Sequence, residues 1–305
     1  MLDSVKIAFD PSSLHILNFM LAIMMFGAAL SVKLNDFQFV LRSPKAPLIG
    51  LVCQFILLPA ATYGLTRVLS LEPSLALGMI LVAACPGGSF SNIITFLSRG
   101  HLATSVSMTA VSSLAAIIMT PLNFMFYASL APETLAIVQA INVDPLAMVQ
   151  LIGWVLGVPL ALGMLVGHNF PGFAARADKP ARWISLVIFL IFVGLAFSHN
   201  GGLFVEYAEA FAGLVILHNA LALGLGWVAT ALVRLPEDQR RAVILEVGIQ
   251  NSGLGLIILF SFYPNLGGMM LVTAFWGVWH LVSGLLLSAY WSQRPPEVGA
   301  GVGVT

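Results

Sequence analysis

Apolar residues run along this chain in blocks far longer than one buried face of a soluble helix would need, and polar positions gather between the blocks. A helix takes about 20 mainly apolar residues to cross the hydrocarbon core of a bilayer. By that length the pattern predicts nine spans: 14–32, 46–69, 74–98, 101–128, 145–168, 181–199, 207–233, 239–262 and 266–292. Helices suit this setting because they pair their own backbone groups where water is absent. The connections are mostly short and carry nearly all the charge, the longest being 33–45, 129–144 and 169–180. The closing stretch RPPEVGAGVGVT, within the tail 293–305, is rich in Pro and Gly and is expected to be disordered.

Two of the nine blocks are interrupted at their centres. VAACPGGSFSNIITF (82–96) sets Pro86, Gly87 and Gly88 before Ser89, Ser91 and Asn92. EVGIQNSGLG (246–255) gathers Glu246, Gly248, Gln250, Asn251, Ser252 and Gly253 in the same way. Helix breakers are tolerated at membrane depth only where the freed backbone is buried in protein or lines a wet cavity. The breaks also match in position, each in the middle member of a triplet: spans two to four, then seven to nine. One triplet starts inside and the other outside, so the two are related by inversion. Interrupted segments at corresponding places in inverted halves point to the binding site of a transporter.

Composition sharpens the class. Of 305 residues, 59% are hydrophobic and 9% charged, against roughly 25% charged in a soluble domain; mean hydropathy is +0.97. The chain reads as an integral membrane protein. Thirteen basic residues balance thirteen acidic ones, so net charge points to no nucleic-acid partner; membrane lipid is the expected surrounding. Cys53 and Cys85 both fall in apolar segments and read as small core residues, not a disulfide framework. The first twelve residues lack the pattern of a cleaved signal peptide.

Charge also orients the spans. With the N-terminus outside, Lys33, Arg42, Lys45, Arg99, Arg176, Lys179, Arg182, Arg234, Arg240, Arg241 and Arg294 lie inside. Only Lys6 and Arg67 lie outside. This strong positive-inside bias supports nine spans and a cytoplasmic C-terminus.

One carboxylate is out of place. Twelve of the thirteen lie in connections or near span ends, whereas Glu246 sits inside the eighth span. An ionised side chain at that depth costs at least about 2.5–3.5 kcal/mol on insertion scales, and no Lys or Arg lies deep in another span. A broken helix exposes N–H groups at one half and carbonyls at the other, which attract anions and cations respectively. Side-chain oxygens of Ser91, Asn92, Gln250 and Glu246 can complete a shell for a hard cation. Gln54 in span two and Ser105 and Thr109 in span four add polar groups at similar depth. Sodium is the natural candidate. Two sodium ions with one carboxylate leave a local charge of about +1, suited to a small organic anion near the half-helix amino ends.

Other readings stand beside this one. Glu246 could couple transport to protons, or be a protonated structural carboxylate. Ser89 or Ser91 with His218 could imitate a nucleophile and base, but there is no G-x-S-x-G elbow; the paired breaks could line a channel. No HExxH-type spacing joins His218 and His280 to Glu246 in a zinc site, and His218 is expected to hydrogen-bond within the core.

The segments ACPGGSFSNIITFLSRG and LEVGIQNSGLG, with VCQFILLP, VILHN and VWHLVSG around them, resemble the bile acid:sodium symporter family from about Leu14 to Trp291. The resemblance implies an all-α fold with a panel domain beside a core domain, two crossed discontinuous helices lying in the core. The panel would comprise 14–32 and 145–199, the core 46–128 and 207–292. A first sodium site would take Ser91, Asn92, Ser105, Thr109 and Glu246. A second would take Gln54, Glu246 and Gln250 with the carbonyls of Val247 and Ile249. Ser89, Asn251 and His280 are the candidates for the substrate side. The implied activity is sodium-coupled symport of an organic anion (bile acid-like, a sulfated steroid or a small carboxylate) by alternating access, not enzymatic catalysis. Bacterial members of the family suggest an inner-membrane location. Two departures stand out: a tenth, N-terminal helix is absent, and Leu281 follows His280 where the family often has Asn.

Overall fold

The computed structural model describes residues 13–296, without the side chains at 13, 14 and 17 and several between 178 and 203. Lys6, residues 297–305 and the side chains of Lys179 and Arg182 therefore lie outside the described residues. The first half of the chain forms α1 Ser13–Ala29, α2 Leu34–Arg42, α3 Lys45–Val68, α4 Pro73–Ala84, α5 Phe90–Leu97, α6 Leu102–Ser129 and α7 Pro132–Ile141. The second half forms α8 Pro145–Asn169, α9 Pro171–Glu206, α10 Ala208–Leu232, α11 Glu237–Gly248, α12 Ser252–Phe262 and α13 Gly267–Ser292. Among the described residues the sole extended pairing is one antiparallel bridge, Gly87 with Gln250. Among the described residues five helices, α3, α6, α8, α10 and α13, are long and apolar enough to cross a membrane, six if α1 and α2 are taken as one bent span. The protein is an all-helical integral membrane protein.

Three stretches expected as connections are helical instead. The first, 33–45, contains α2, which turns 65° from α1 and buries none of its residues. Its backbone start is secured by Asp36, whose Oδ2 accepts from Lys33 N–H at 2.7 Å, and Arg42 lies in its last turn. Both charges suit the helix dipole. The second, 129–144, contains α7, begun by Pro132 at its first turn and ended by Asn142 in the left-handed region (φ 52°). The third, 169–180, is continuous with the sixth span as the 36-residue α9, which carries Pro180 in its interior.

Proline also sets the shape of α3 and α8. Each has a π turn, Cys53–Leu57 and Gly153–Gly157, just ahead of Pro59 and Pro159. A proline cannot donate to the carbonyl four residues earlier, so the hydrogen-bond ladder slips. The carbonyl freed in α3, Phe55 O, accepts instead from Asn123 Nδ2 of α6 at 2.9 Å.

α1 packs against α8 and α9, while α10 packs against α11, and α13 against α4. The two triplets also end their first helices alike. Leu71 N–H donates to Thr66 O at 3.2 Å and Leu235 N–H to Thr230 O at 3.1 Å, with Ser70 (φ 49°) and Arg234 (φ 54°) left-handed between them. At one end of the bundle Arg241, 3% exposed, ties three helix ends together. It donates to Glu237 Oε1 (3.1 Å), Ser98 O (2.9 Å), Trp291 O (3.2 Å) and Arg294 O (2.8 Å).

The α1–α8 contact depends on small residues. A Cβ on Gly163 would stand 2.6 Å from Phe26 O, and one on Gly167 would collide with Leu30 O. No comparable obstacle surrounds Gly224 of α10, which has nothing within 4 Å. Overpacking costs typically about 1–3 kcal/mol. Gly167→Leu is therefore expected to lower the thermal midpoint in detergent by several degrees while Gly224→Ala leaves it unchanged; equal midpoints for the two variants would contradict the contact.

Candidate functional site

The two breaks meet. α4 ends at Ala84 and α5 begins at Phe90; α11 ends at Gly248 and α12 begins at Ser252. Across the gap Gly88 N–H donates to Ile249 O at 2.7 Å and Asn251 N–H to Pro86 O at 2.8 Å, bracketing the Gly87–Gln250 bridge. Backbone groups freed by the breakers thus satisfy one another, as burial demands. Glycine is required on one side: a Cβ on Gly87 would land on Glu246 Oε1, and one on Gly88 would stand 2.9 Å from Gln250 O.

Glu246 closes the last turns of α11 against this crossing and is 1% exposed. Ser91 Oγ lies 2.5 Å and Ser105 Oγ 3.3 Å from Glu246 Oε2, and Thr109 Oγ1 lies 2.7 Å from Oε1. Asn92 Oδ1 sits among the same hydroxyls, 2.8 Å from Ser105 Oγ and 3.2 Å from Thr109 Oγ1. The five residues expected at a first cation site are thus one cluster, drawn from α5, α6 and α11. Its chemistry is short of protons. Three hydroxyl hydrogens face both carboxylate oxygens, the Asn92 oxygen and, at 3.0 Å from Thr109 Oγ1, the Ser105 carbonyl. Among the described residues no Lys or Arg pairs with Glu246; the recorded arginine ion pairs go to Glu133 and Glu237. An acceptor-rich, cation-free pocket of oxygens fits a hard monovalent or divalent cation.

The second predicted group is adjacent. Gln54, on the π turn of α3, donates through Nε2 to Cys85 O (2.7 Å) and Gln250 Oε1 (2.6 Å). Gln250 Nε2 in turn donates to Val247 O at 2.7 Å. The carbonyls of Val247 and Ile249 therefore each already accept one hydrogen bond, from Gln250 and Gly88, and each keeps a second lone pair. Gln54 Oε1 is buried without a hydrogen-bond partner among the described residues. A buried oxygen with no proton to accept again suits a cation.

Ser89, Asn251 and His280, expected on the substrate side, share a small cavity of about 10 Å³ with Met24 and Met25 of α1. Asn251 caps α12, its Oδ1 accepting from Leu254 N–H at 3.1 Å, and His280 Nδ1 lies 3.2 Å from Ser252 Oγ. A further cavity of about 20 Å³ brings Ser89 and Asn251 together with Asn92, Thr109 and Leu160 of α8. His218 hydrogen-bonds with Thr62 Oγ1 at 2.7 Å and packs on Trp276, within the core as expected and not onto Ser89 or Ser91. Sequence reasoning missed Asn219, which donates from Nδ2 to Gly248 O at 2.8 Å, and Thr120, which donates to Ala84 O at 2.8 Å. Asn219 stands beside no helix breaker in sequence, whereas Thr120 directly precedes Pro121 inside α6 and lies far in sequence from either interruption.

The family model described as Sodium Bile acid symporter family matches residues 18–207. The "Uncharacterized sodium-dependent transporter YocS" of Bacillus subtilis is 32% identical over 281 residues, covering 92% of this chain and 84% of that protein. The "Probable sodium/metabolite cotransporter BASS1, chloroplastic" of Oryza sativa is 29% identical over 90% of this chain, which spans 65% of the rice protein's length. The "Ileal sodium/bile acid cotransporter" of Cricetulus griseus is 28% identical over 82% of this chain and 70% of its own. On the family match and the Bacillus relative together, the chain belongs to the sodium bile acid symporter family.

Proposed function

We propose that the protein is a secondary active transporter that moves a small organic anion inward with sodium by alternating access. The observation that carries this reading is the Glu246 cluster: a buried carboxylate at crossed helix breaks, ringed by Ser91, Asn92, Ser105 and Thr109, with no Lys or Arg paired to it among the described residues. Sodium supplies the missing charge there, and a second ion sits with Gln54, Gln250 and the Val247 and Ile249 carbonyls. The similar proteins' names, which speak of sodium-dependent transport and of cotransport with metabolites or bile acids, support the same coupling. The anion, bile acid-like, a sulfated steroid or a small carboxylate, binds beside Ser89, Asn251 and His280, favoured once the ions are in place.

In this reading the chain crosses the membrane nine times, with α4–α5 and α11–α12 each counting as one crossing and α2 and α7 lying at the surface. α1, α8 and α9 form the panel; α3 to α6 and α10 to α13 form the core. The N-terminus is outside and the C-terminus cytoplasmic, in a bacterial inner membrane, following the positive-inside bias. Core and panel move against each other around a fixed site.

Ligand binding to the folded state stabilises by RT ln(1 + [L]/Kd), about 2.7 kcal/mol at a hundredfold excess over Kd. The thermal midpoint of the purified protein is expected to rise with NaCl against choline chloride at constant ionic strength, and the rise to vanish in Glu246→Gln. A wild-type midpoint indifferent to sodium but moving with pH through Glu246 would assign the coupling to protons. Gly87→Ala sets a methyl against Glu246 Oε1; at about 1–3 kcal/mol for such overpacking, the fitted sodium Kd should rise about tenfold or more. An unchanged Kd in that variant would place the ion away from the crossing.

A further inference from the structure

The carbonyl ends of both broken helices are held by amide side chains from the helix that opens the same triplet. In the first, Gln54 of α3 donates to Cys85 O; in the second, Asn219 of α10 donates to Gly248 O at 2.8 Å. Gln54 is expected among the cation ligands, whereas Asn219, 1% exposed, has no part in either oxygen cluster. Its single recorded bond falls on the peptide between Val247 and Ile249, the two residues whose carbonyls flank the second cluster.

Geometry gives that bond a purpose. Gly248 lies flush on α10, where a Cβ would collide with Leu223, one turn along from Asn219 on the same face. One turn further, a Cβ on Gly226 would stand 3.0 Å from Ile244 Cα, so α10 supports the end of α11 along a continuous stripe. Turning the Gly248 carbonyl toward α10 leaves those of Val247 and Ile249 to serve Gln250 and Gly88, on the side of the crossing. The neighbouring His218 fastens the same helix to Thr62 of α3, two turns beyond Gln54. We infer that Asn219 is a positioning residue of the sodium site, fixing the Gly248 peptide so that the flanking carbonyls face the ion. This inference rests on the sodium reading above.

The test fits a sodium Kd from the rise of the thermal midpoint with NaCl, choline chloride balancing the ionic strength, and also records the midpoint in choline alone. Outer partners of metal ligands typically change affinity by about 10–100-fold when removed. Asn219→Ala and the isosteric Asn219→Asp are expected to raise the sodium Kd at least about tenfold on that scale. Leu223→Ala, which loosens the other support of Gly248, should raise it as well and serves if the Asn219 variants fold poorly. Thr134→Val, which removes a buried hydroxyl-to-carbonyl bond (Thr134 Oγ1 to Ala128 O, 2.6 Å) remote from the crossing, should lower the choline midpoint and leave the Kd alone. Asn219 variants that lower the choline midpoint but keep the wild-type Kd would overturn the inference and leave the sodium reading standing. A wild type without a sodium response would remove both.

Discussion

A carboxylate held at membrane depth, with no Lys or Arg paired to it among the described residues, sets the terms for everything packed around it. Glu246 is 1% exposed, and its described partners are the hydroxyls of Ser91, Ser105 and Thr109, the last two sharing their protons with other acceptors. Such an arrangement is costly unless a positive ion completes it. The surrounding architecture makes room for one. Pro86, Gly87 and Gly88 remove helix where a side chain would strike the carboxylate, and the opposing break at Ile249–Asn251 supplies carbonyls in place of a continuous ladder.

Two similar interruptions have been given different chemistry. In the first triplet the polar groups follow the break, as Ser89, Ser91 and Asn92; in the second the critical one precedes it, as Glu246. Because the breaks cross at Gly87 and Gln250, residues after one come to lie beside residues before the other. A repeated frame thus yields a one-sided cluster: hydroxyls from α5 and α6 meet a carboxylate from α11, while the reciprocal position near α4 stays apolar, with Ala83 and Ala84 fully buried.

Much of this was legible in the amino-acid order because it depends on residues that violate their surroundings. A Pro-Gly-Gly in an apolar block and a lone Glu at depth each admit few physical explanations, and the structure brings together the residues they pointed to. What stayed hidden obeys local rules. α2 and α7, of 9 and 10 residues, are too short to read as spans, and α2 is held by packing such as Phe39 against His101, with ring centroids 5.7 Å apart. Arg241 looks like one more cation near a span end until three carbonyls from distant parts of the chain converge on it, beside Glu237 of its own helix. Gly163 and Gly167 are two of 28 glycines, and only the approach of α1 distinguishes them. Asn219 is an amide on an apolar helix whose partner lies 29 residues away.

Arg241 has a consequence for insulation. Its guanidinium draws the end of α5, the start of α11 and the last turn of α13 into one knot, with the Trp291 ring 5.5 Å beneath it. A symporter must not let its driving ion slip through alone, since every such passage discharges the gradient without moving cargo. The knot binds those helix ends to one another through a buried guanidinium whose charge is already paired with Glu237 at 3.1 Å. The hollows beside Asn92 and Thr109 open instead toward α1 and α8, where Met25, Ala28 and Leu160 form the facing wall. In the proposed transport cycle, escape on that flank is set by how far α1 and α8 part from α5 and α6, so leak and turnover share one seam.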